Sequence, residues 1–153
     1  MTADVEFVGL VRVPPRLLGR DVSQGSVVVT ADLIATYARA VGDAATLAAG
    51  CEVAPPTFCL ALRRGFEPEV PLPDDVFDVH GGHDLEFLAP IRAGHTYAVS
   101  ARLVDVYEKS GRSGSLTVIV REAVVREAGG AVAARIVERQ IVRKRPPGVT
   151  GPG

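Results

Sequence analysis

The chain has 153 residues, 47% of them hydrophobic, and a formal net charge of −1. That length supports one domain with a real core and is too short for two. No apolar run approaches the ~18 residues of a membrane span, no basic-then-apolar leader is read at the N-terminus, and the mixed, nearly balanced charge offers no footprint for nucleic acid or a membrane surface, so a cytoplasmic protein is expected.

Val5 to Val13 reads as one extended apolar segment, closed by Pro14-Pro15. Val22 to Val29 reads as a strand. Thr30 is placed to cap a helix over Ala31 to about Val41, with Asp32 at the positive end of its dipole. Leu33, Ile34, Tyr37, Ala38 and Val41 recur at helical spacing and predict one apolar stripe, ended by Gly42-Asp43. Pro55-Pro56 predicts the start of a second helix, because a missing N–H costs nothing in a first turn. The run Phe58-Cys59-Leu60-Ala61-Leu62 gives that helix no polar face, which predicts that it is surrounded on all sides. Arg63-Arg64 reads as a solvated C-terminal cap, with contacts to ligand phosphates or an acidic partner as the alternative.

Past a Pro-rich loop, four strand-like runs follow, at about Val76–Ile91, His95–Tyr107, Ser115–Glu127 and Ala131–Lys144, with turns at Ala93-Gly94, Ser110-Gly111 and Gly129-Gly130. The alternation Tyr97, Val99, Ala101, Leu103 resumes on the opposite parity at Val104, so a bulge is expected near Leu103. Arg145 to Gly153 holds three prolines and three glycines and predicts a disordered tail behind a domain spanning 1–144. Cys51 and Cys59 read as buried, reduced thiols; Cys51 has no histidine near it in sequence and makes a weak nucleophile. Together these elements predict an α+β chain with a single hot-dog fold: a long antiparallel sheet wrapped around a central apolar helix, with edge strands left free to drive dimerisation.

The densest chemistry lies in His80-Gly-Gly-His-Asp-Leu-Glu-Phe-Leu-Ala-Pro-Ile-Arg-Ala-Gly-His95, preceded by Ala54-Pro-Pro-Thr-Phe58. These two segments and the three strands after them resemble the MaoC-like, or FAS1-like, dehydratase N-terminal domains, including the non-catalytic type of subunit in heterodimeric (3R)-hydroxyacyl thioester dehydratases. The likeness runs from about Val22 to Lys144. It implies a hot-dog fold, an acyl chain carried on coenzyme A or acyl carrier protein, and water added or removed at the C2–C3 bond. It also implies an acyl-pantetheine arm held between two subunits, in a homodimer or in a heterodimer with another hot-dog chain, without a cofactor. Active members carry Gly-Asp-x-Asn-Pro-x-His, whose Asp and His form an acid–base pair. Here Gly42-Asp43 is kept, but Ala45, Thr46 and Ala48 stand where Asn, Pro and His belong.

Dehydration needs a base for the C2 proton, an acid for the leaving hydroxyl and a polarised carbonyl. With Ala48 in the histidine position, the candidates for proton transfer are His83, His80 and Asp43. His83 shares strand parity with Leu85 and Phe87 and should face the pocket, whereas the direction of His80 is unreadable across two glycines. The competing reading makes His80-Gly-Gly-His83 a β-bulge with structural histidines, and Asp43 a turn residue satisfying local N–H groups. Pro56, Thr57 and Phe58 are candidate substrate contacts, the N–H groups of Thr57 and Phe58 being placed to polarise a thioester oxygen. Gly81 and Gly82 join them because glycine permits close backbone approach. No metal site is expected: the x-x spacing sends His80 and His83 to opposite faces of a strand unless the glycines bend it. Three readings of function follow: a dehydratase or hydratase, a substrate-holding subunit whose catalytic pair comes from a partner, and a thioesterase.

Overall fold

The structure, a computed structural model, describes residues 6–65 and 67–148. The chain opens with a small hairpin, β1 (Glu6–Val8) and β2 (Val11–Val13). The uninterrupted segment expected over Val5–Val13 is thus folded back at Gly9-Leu10, where Gly9 takes φ +55° and Thr117 Oγ1 accepts the Leu10 N–H at 2.8 Å. Val5 lies outside the described residues. Then come β3 (Val22–Val28), α1 (Ala31–Val41), α2 (Ala44–Ala48), a 3-10 turn over Pro56–Phe58 running into α3 (Cys59–Leu62), and four long strands, β4 (Val76–Phe87), β5 (Thr96–Gly111), β6 (Gly114–Glu127) and β7 (Val132–Lys144). Thr30 caps α1 through its side chain to the Leu33 N–H, as the sequence predicts, and Gly42 closes it in the left-handed region.

Strands β3 to β7 form one antiparallel five-stranded sheet in the order β3-β5-β6-β7-β4. The helices lie between β3 and β4 in sequence, and those two strands are the sheet's edges. This is the hot-dog arrangement, with the sheet wrapped about short helical segments. The β5–β6 register slips between Leu103 and Asp105, the bulge expected there. The hairpin turn after β5 falls beyond Gly111 and not at Ser110-Gly111, because Ser110 and Gly111 still pair with Ser115 and Gly114.

Two helical expectations are corrected. The segment opened by Pro55-Pro56 is a 3-10 turn and one α-helical turn, and it is not apolar on all sides: Phe58, Cys59 and Leu62 are buried, while Thr57 and Ala61 are exposed. It stops because Arg63 turns extended (φ −72°, ψ 124°) and its side chain drops toward the sheet. On α1, Ile34, Ala35 and Ala38 are buried, but Leu33 and Val41 of the predicted stripe are 44% and 53% exposed. The three turns of α1 cover only part of the sheet, and the remaining face of the helix borders a groove.

Along β6 and β7 alternate residues face inward. Ala123, Val125, Ala134 and Ile136 pack with Phe58, Cys59, Leu62 and Ile34 in one apolar cluster; Ile119 and Val142 pack with Val11, Val13, Val70 and Leu103 in a second. Between the two clusters, on the same inward register, stand Arg121, Glu138 and Gln140, all buried. A polar band therefore crosses the core.

At the far end Arg145, expected to begin the tail, is tied down: its N–H donates to Asp75 O at 2.8 Å and its guanidinium to Val76 O at 2.9 Å. Val149 to Gly153 lie outside the described residues.

Candidate functional site

The two glycines do bend β4. Its register against β7 slips between His80 and Gly82, where Gly82 takes φ +121°, a conformation that L side chains avoid. A Cβ on Gly81 would come within 2.9 Å of Ile141 Cγ1 and 3.0 Å of Arg139 O. The bulge therefore requires both glycines, Gly82 for its backbone conformation and Gly81 for its close approach to Ile141 and Arg139. It sets His80 opposite Gln140 and His83 opposite Glu138, and the two imidazoles meet with ring centroids 4.4 Å apart. The glycines thus supply the bend that the opposite-face expectation excepted, and the extra residue puts both imidazoles on one side. Past the bulge, Leu85 and Phe87 pair with Ile136 and Ala134 on the same parity as His83, while Asp84 and Glu86 point the other way and pair with Arg139 and Arg135.

His83 Nε2 lies 3.6 Å from Glu138 Oε2, whose side chain is only 5% exposed. Arg63 Nε and Arg121 Nη1 approach the same carboxylate at 3.9 Å each. Arg63 is thus no solvated cap: its side chain is 5% exposed, and its terminal nitrogens donate to Arg64 O and Glu67 O. Arg64 does remain exposed. Burial pulls the Arg63 and Arg121 pKa values below their ordinary level, with Glu138 the main charge opposing that shift. Arg121 also donates to Gln140 Oε1 at 2.8 Å and to Pro68 O at 2.9 Å, and Gln140 donates to Asp78 Oδ2 at 2.7 Å. Sequence reasoning missed Glu138, Arg121 and Gln140. The signal was there, since each falls on the inward parity of a strand whose other inward residues, Thr117 apart, are Ala, Ile and Val.

The remaining candidates sit at the opposite end of the 56–62 segment. Asp43 is the N-cap of α2, accepting the Thr46 N–H at 3.0 Å and the Thr46 hydroxyl at 2.7 Å. Those donors hold its carboxyl below the ordinary 3.8. With Pro55 and Pro56 it lines a groove of about 400 Å³, which adjoins another of about 370 Å³ bordered by Phe87 and Leu88; the two share Val53 to Pro56. No histidine is among the lining residues of either, whose ionisable side chains are Asp43 and Glu52. Of the two amides expected to meet a thioester oxygen, that of Phe58 is already used, donating to Pro55 O at 2.9 Å. Phe58 is buried, stands edge-on to Tyr37 at 5.4 Å, and lines a third, mainly apolar groove of about 360 Å³ between α1 and α3. The structure brings His80 and His83 together, and Asp43 and Pro56 together, but makes no hydrogen bond or ion pair between the two sets. His95 pairs with Glu127 at 2.5 Å. Among the described residues no three His, Cys, Asp or Glu side chains are gathered to hold a metal ion, and no helix is long and apolar enough to cross a membrane. Cys51 and Cys59 are buried free thiols, and burial raises the pKa of Cys59.

The sequence pattern of the FAS1-like dehydratase domain region matches residues 16–135. The chain belongs to this family. No curated protein matches the FAS1-like chain in sequence. Among solved structures it is similar to the ChsH1–ChsH2 complex from Mycobacterium tuberculosis (18% identity, TM-score 0.65, covering 88% of this chain and 89% of that one). It is similar also to a monoamine oxidase regulatory protein from Archaeoglobus fulgius (19%, 0.61, 84% and 92%). A third is the C-terminally truncated HadBC (3R-hydroxyacyl-ACP dehydratase) complex from Mycobacterium tuberculosis (17%, 0.58, 82% and 96%). At these identities the structures establish that the FAS1-like domain has their fold; its place among hot-dog dehydratases and hydratases rests on the family match.

Proposed function

We propose that this chain is the acyl-thioester-binding subunit of a two-subunit hot-dog hydro-lyase acting at the C2–C3 bond, with the acid–base pair supplied by a partner of the same fold. The observation that carries this reading is the state of the groove at Asp43. Its carboxylate is held ionised by Thr46, which unsuits it to donate a proton, and Ala48 occupies the position of the family's histidine. The long edge of β4 and the exposed Phe87 and Leu88 beside the groove support a partner there. The relatives ChsH1–ChsH2 and HadBC are themselves complexes of two named components. The test uses the purified chain with trans-2-dodecenoyl-pantetheine. Calorimetry should detect binding, while the enoyl absorbance stays constant until a hot-dog subunit with an intact Asp/His pair is added. Hydration by the chain alone would overturn the subunit reading, and release of free thiol would point to a thioesterase.

One observation favours a second reading, in which the chain catalyses alone: His83 is backed by a buried carboxylate at 3.6 Å, the arrangement by which a base is oriented. In that case His83→Ala should cut turnover by at least about 100-fold, the usual contribution of a general base, and His80→Ala by less. Turnover unaffected by His83→Ala but lost in Asp43→Asn would move the centre to the altered hydratase motif.

A further inference from the structure

We propose that the groove between α1 and α3 binds a free fatty carboxylate, with its hydrocarbon chain along the apolar walls and its head group on Arg64. This is a further ligand site on the chain and does not depend on the acyl-thioester reading: no residue that lines the groove at Asp43 lines this one.

The walls of this groove, of about 360 Å³, include Leu33, Tyr37, Phe58 and Leu62. Phe58 and Leu62 belong to the buried core, so that part of the lining is fixed in place. Leu33 remains 44% exposed, apolar surface that the chain itself leaves uncovered. The two neutral polar side chains of the lining are already satisfied within the chain. Thr36 donates its hydroxyl to Asp32 O at 2.8 Å, and Tyr37 donates its phenol to Thr57 O at 3.1 Å. Neither needs a partner from a ligand, so the walls suit a hydrocarbon chain.

Arg64 is the exception, the one charged side chain in the lining. Its peptide is fixed by three bonds: Gln24 Nε2 and Arg63 Nη1 donate to its carbonyl at 2.5 and 3.0 Å, and its N–H donates to Gln24 Oε1 at 3.2 Å. Its guanidinium makes no ion pair among the described residues. Glu67, Glu69 and Asp78 border another cavity with Arg64, yet none of them comes within ion-pairing reach of it. An apolar groove carrying one unneutralised cation on an anchored peptide is complementary to an amphiphile with an anionic head. The planar fork of a guanidinium matches a carboxylate through two parallel hydrogen bonds. A thioester offers Arg64 no charge, so the free acid is the favoured occupant.

The experiment compares decanoate with decanol on the full chain by calorimetry, below the concentrations at which either aggregates. Decanoate should bind at least about threefold tighter than decanol, and the preference should shrink as salt is raised. Lengthening octanoate to decanoate should tighten binding about tenfold, because two more methylenes leave water. Arg64→Gln removes the charge and leaves the peptide bonds to Gln24 in place, and it should abolish the preference for decanoate over decanol. Leu33→Glu puts a carboxylate on the wall at the third position of α1, where glutamate suits a helix capped by Thr30. It should weaken decanoate at least about tenfold without changing the circular dichroism spectrum. Absence of decanoate binding, equal affinity of wild type for decanoate and decanol, or a preference that survives Arg64→Gln would each overturn the proposal. So would undiminished binding of decanoate by Leu33→Glu, which would place the chain elsewhere.

Discussion

The Asp43 carboxylate receives two donors from Thr46, and the sign of the resulting pH dependence can be worked out. Its folded pKa is depressed below 3.8, so its contribution to stability is complete above that value and is lost as pH falls through the depressed one. Asp43→Asn keeps a side-chain oxygen for the cap but has nothing to titrate. Acid unfolding followed by circular dichroism should therefore show a shallower loss of stability below about pH 4 in Asp43→Asn than in wild type, the variant being slightly less stable near neutral pH and the two converging in acid; identical acid transitions would mean that the Thr46 donors do not discriminate the ionised form. At this scale the sequence was legible where the chemistry was local. The cap at Thr30, the turn role open to Asp43 and the missing histidine at Ala48 all follow from neighbours within a few residues. Glu138 was not, because what makes it unusual is Arg63, Arg121 and His83, which arrive from three other segments.

Strand parity carried well and helix burial poorly, for the same reason. A strand's two faces are fixed by its pleat, so His83, Leu85 and Phe87 could be placed together before the fold was known. A helix's surroundings depend on what else is near, and the 56–62 segment proved to be a 3-10 turn and one α-helical turn, exposed at Thr57 and Ala61. Its buried side still anchors the core. Phe58→Ala removes an aromatic that is 3% exposed and its edge contact with Tyr37, and should destabilise by roughly 3–5 kcal/mol in urea titration; a loss below about 1 kcal/mol would show that the groove wall collapses into the space. The β4 bulge is the other element that decides the site. Gly82→Ala forces a side chain into φ +121° and should cost about 1–3 kcal/mol. It should also separate the His80 and His83 rings, read as loss of the nuclear Overhauser contact between them. Retention of that contact would mean that the backbone reaches the same bulge by another route.

For the whole molecule the question is what meets the free edge of β4. The opposite edge, β3, is short and broken by a register shift between Ser23 and Ser26, which blunts it against pairing. Strand β4 has 12 residues and pairs on only one side, with β7, and Phe87 and Leu88 at its end are 50% and 48% exposed. A long unpaired edge that ends in exposed aromatic and aliphatic groups is a template for another chain. The same end of β4 borders the groove that lacks a histidine, so pairing there would bring a partner's side chains to the rim of that groove. Sedimentation of the purified chain at micromolar concentration, mixed with a hot-dog subunit that keeps the Asp/His pair, should show a dimer. Phe87→Glu with Leu88→Glu should shift it to monomer while leaving the circular dichroism spectrum in place, since both side chains are half-exposed and surface changes seldom exceed about 0.5 kcal/mol. Truncation after Gly148 should leave the dimer intact and the melting temperature within about 2 °C, whereas cutting before Arg145 also removes its bonds to Asp75 and Val76 and should loosen the start of β4. A stable wild-type monomer that still binds acyl-pantetheine would mean that the groove is complete within one chain, and the partner would then be needed for the chemistry alone.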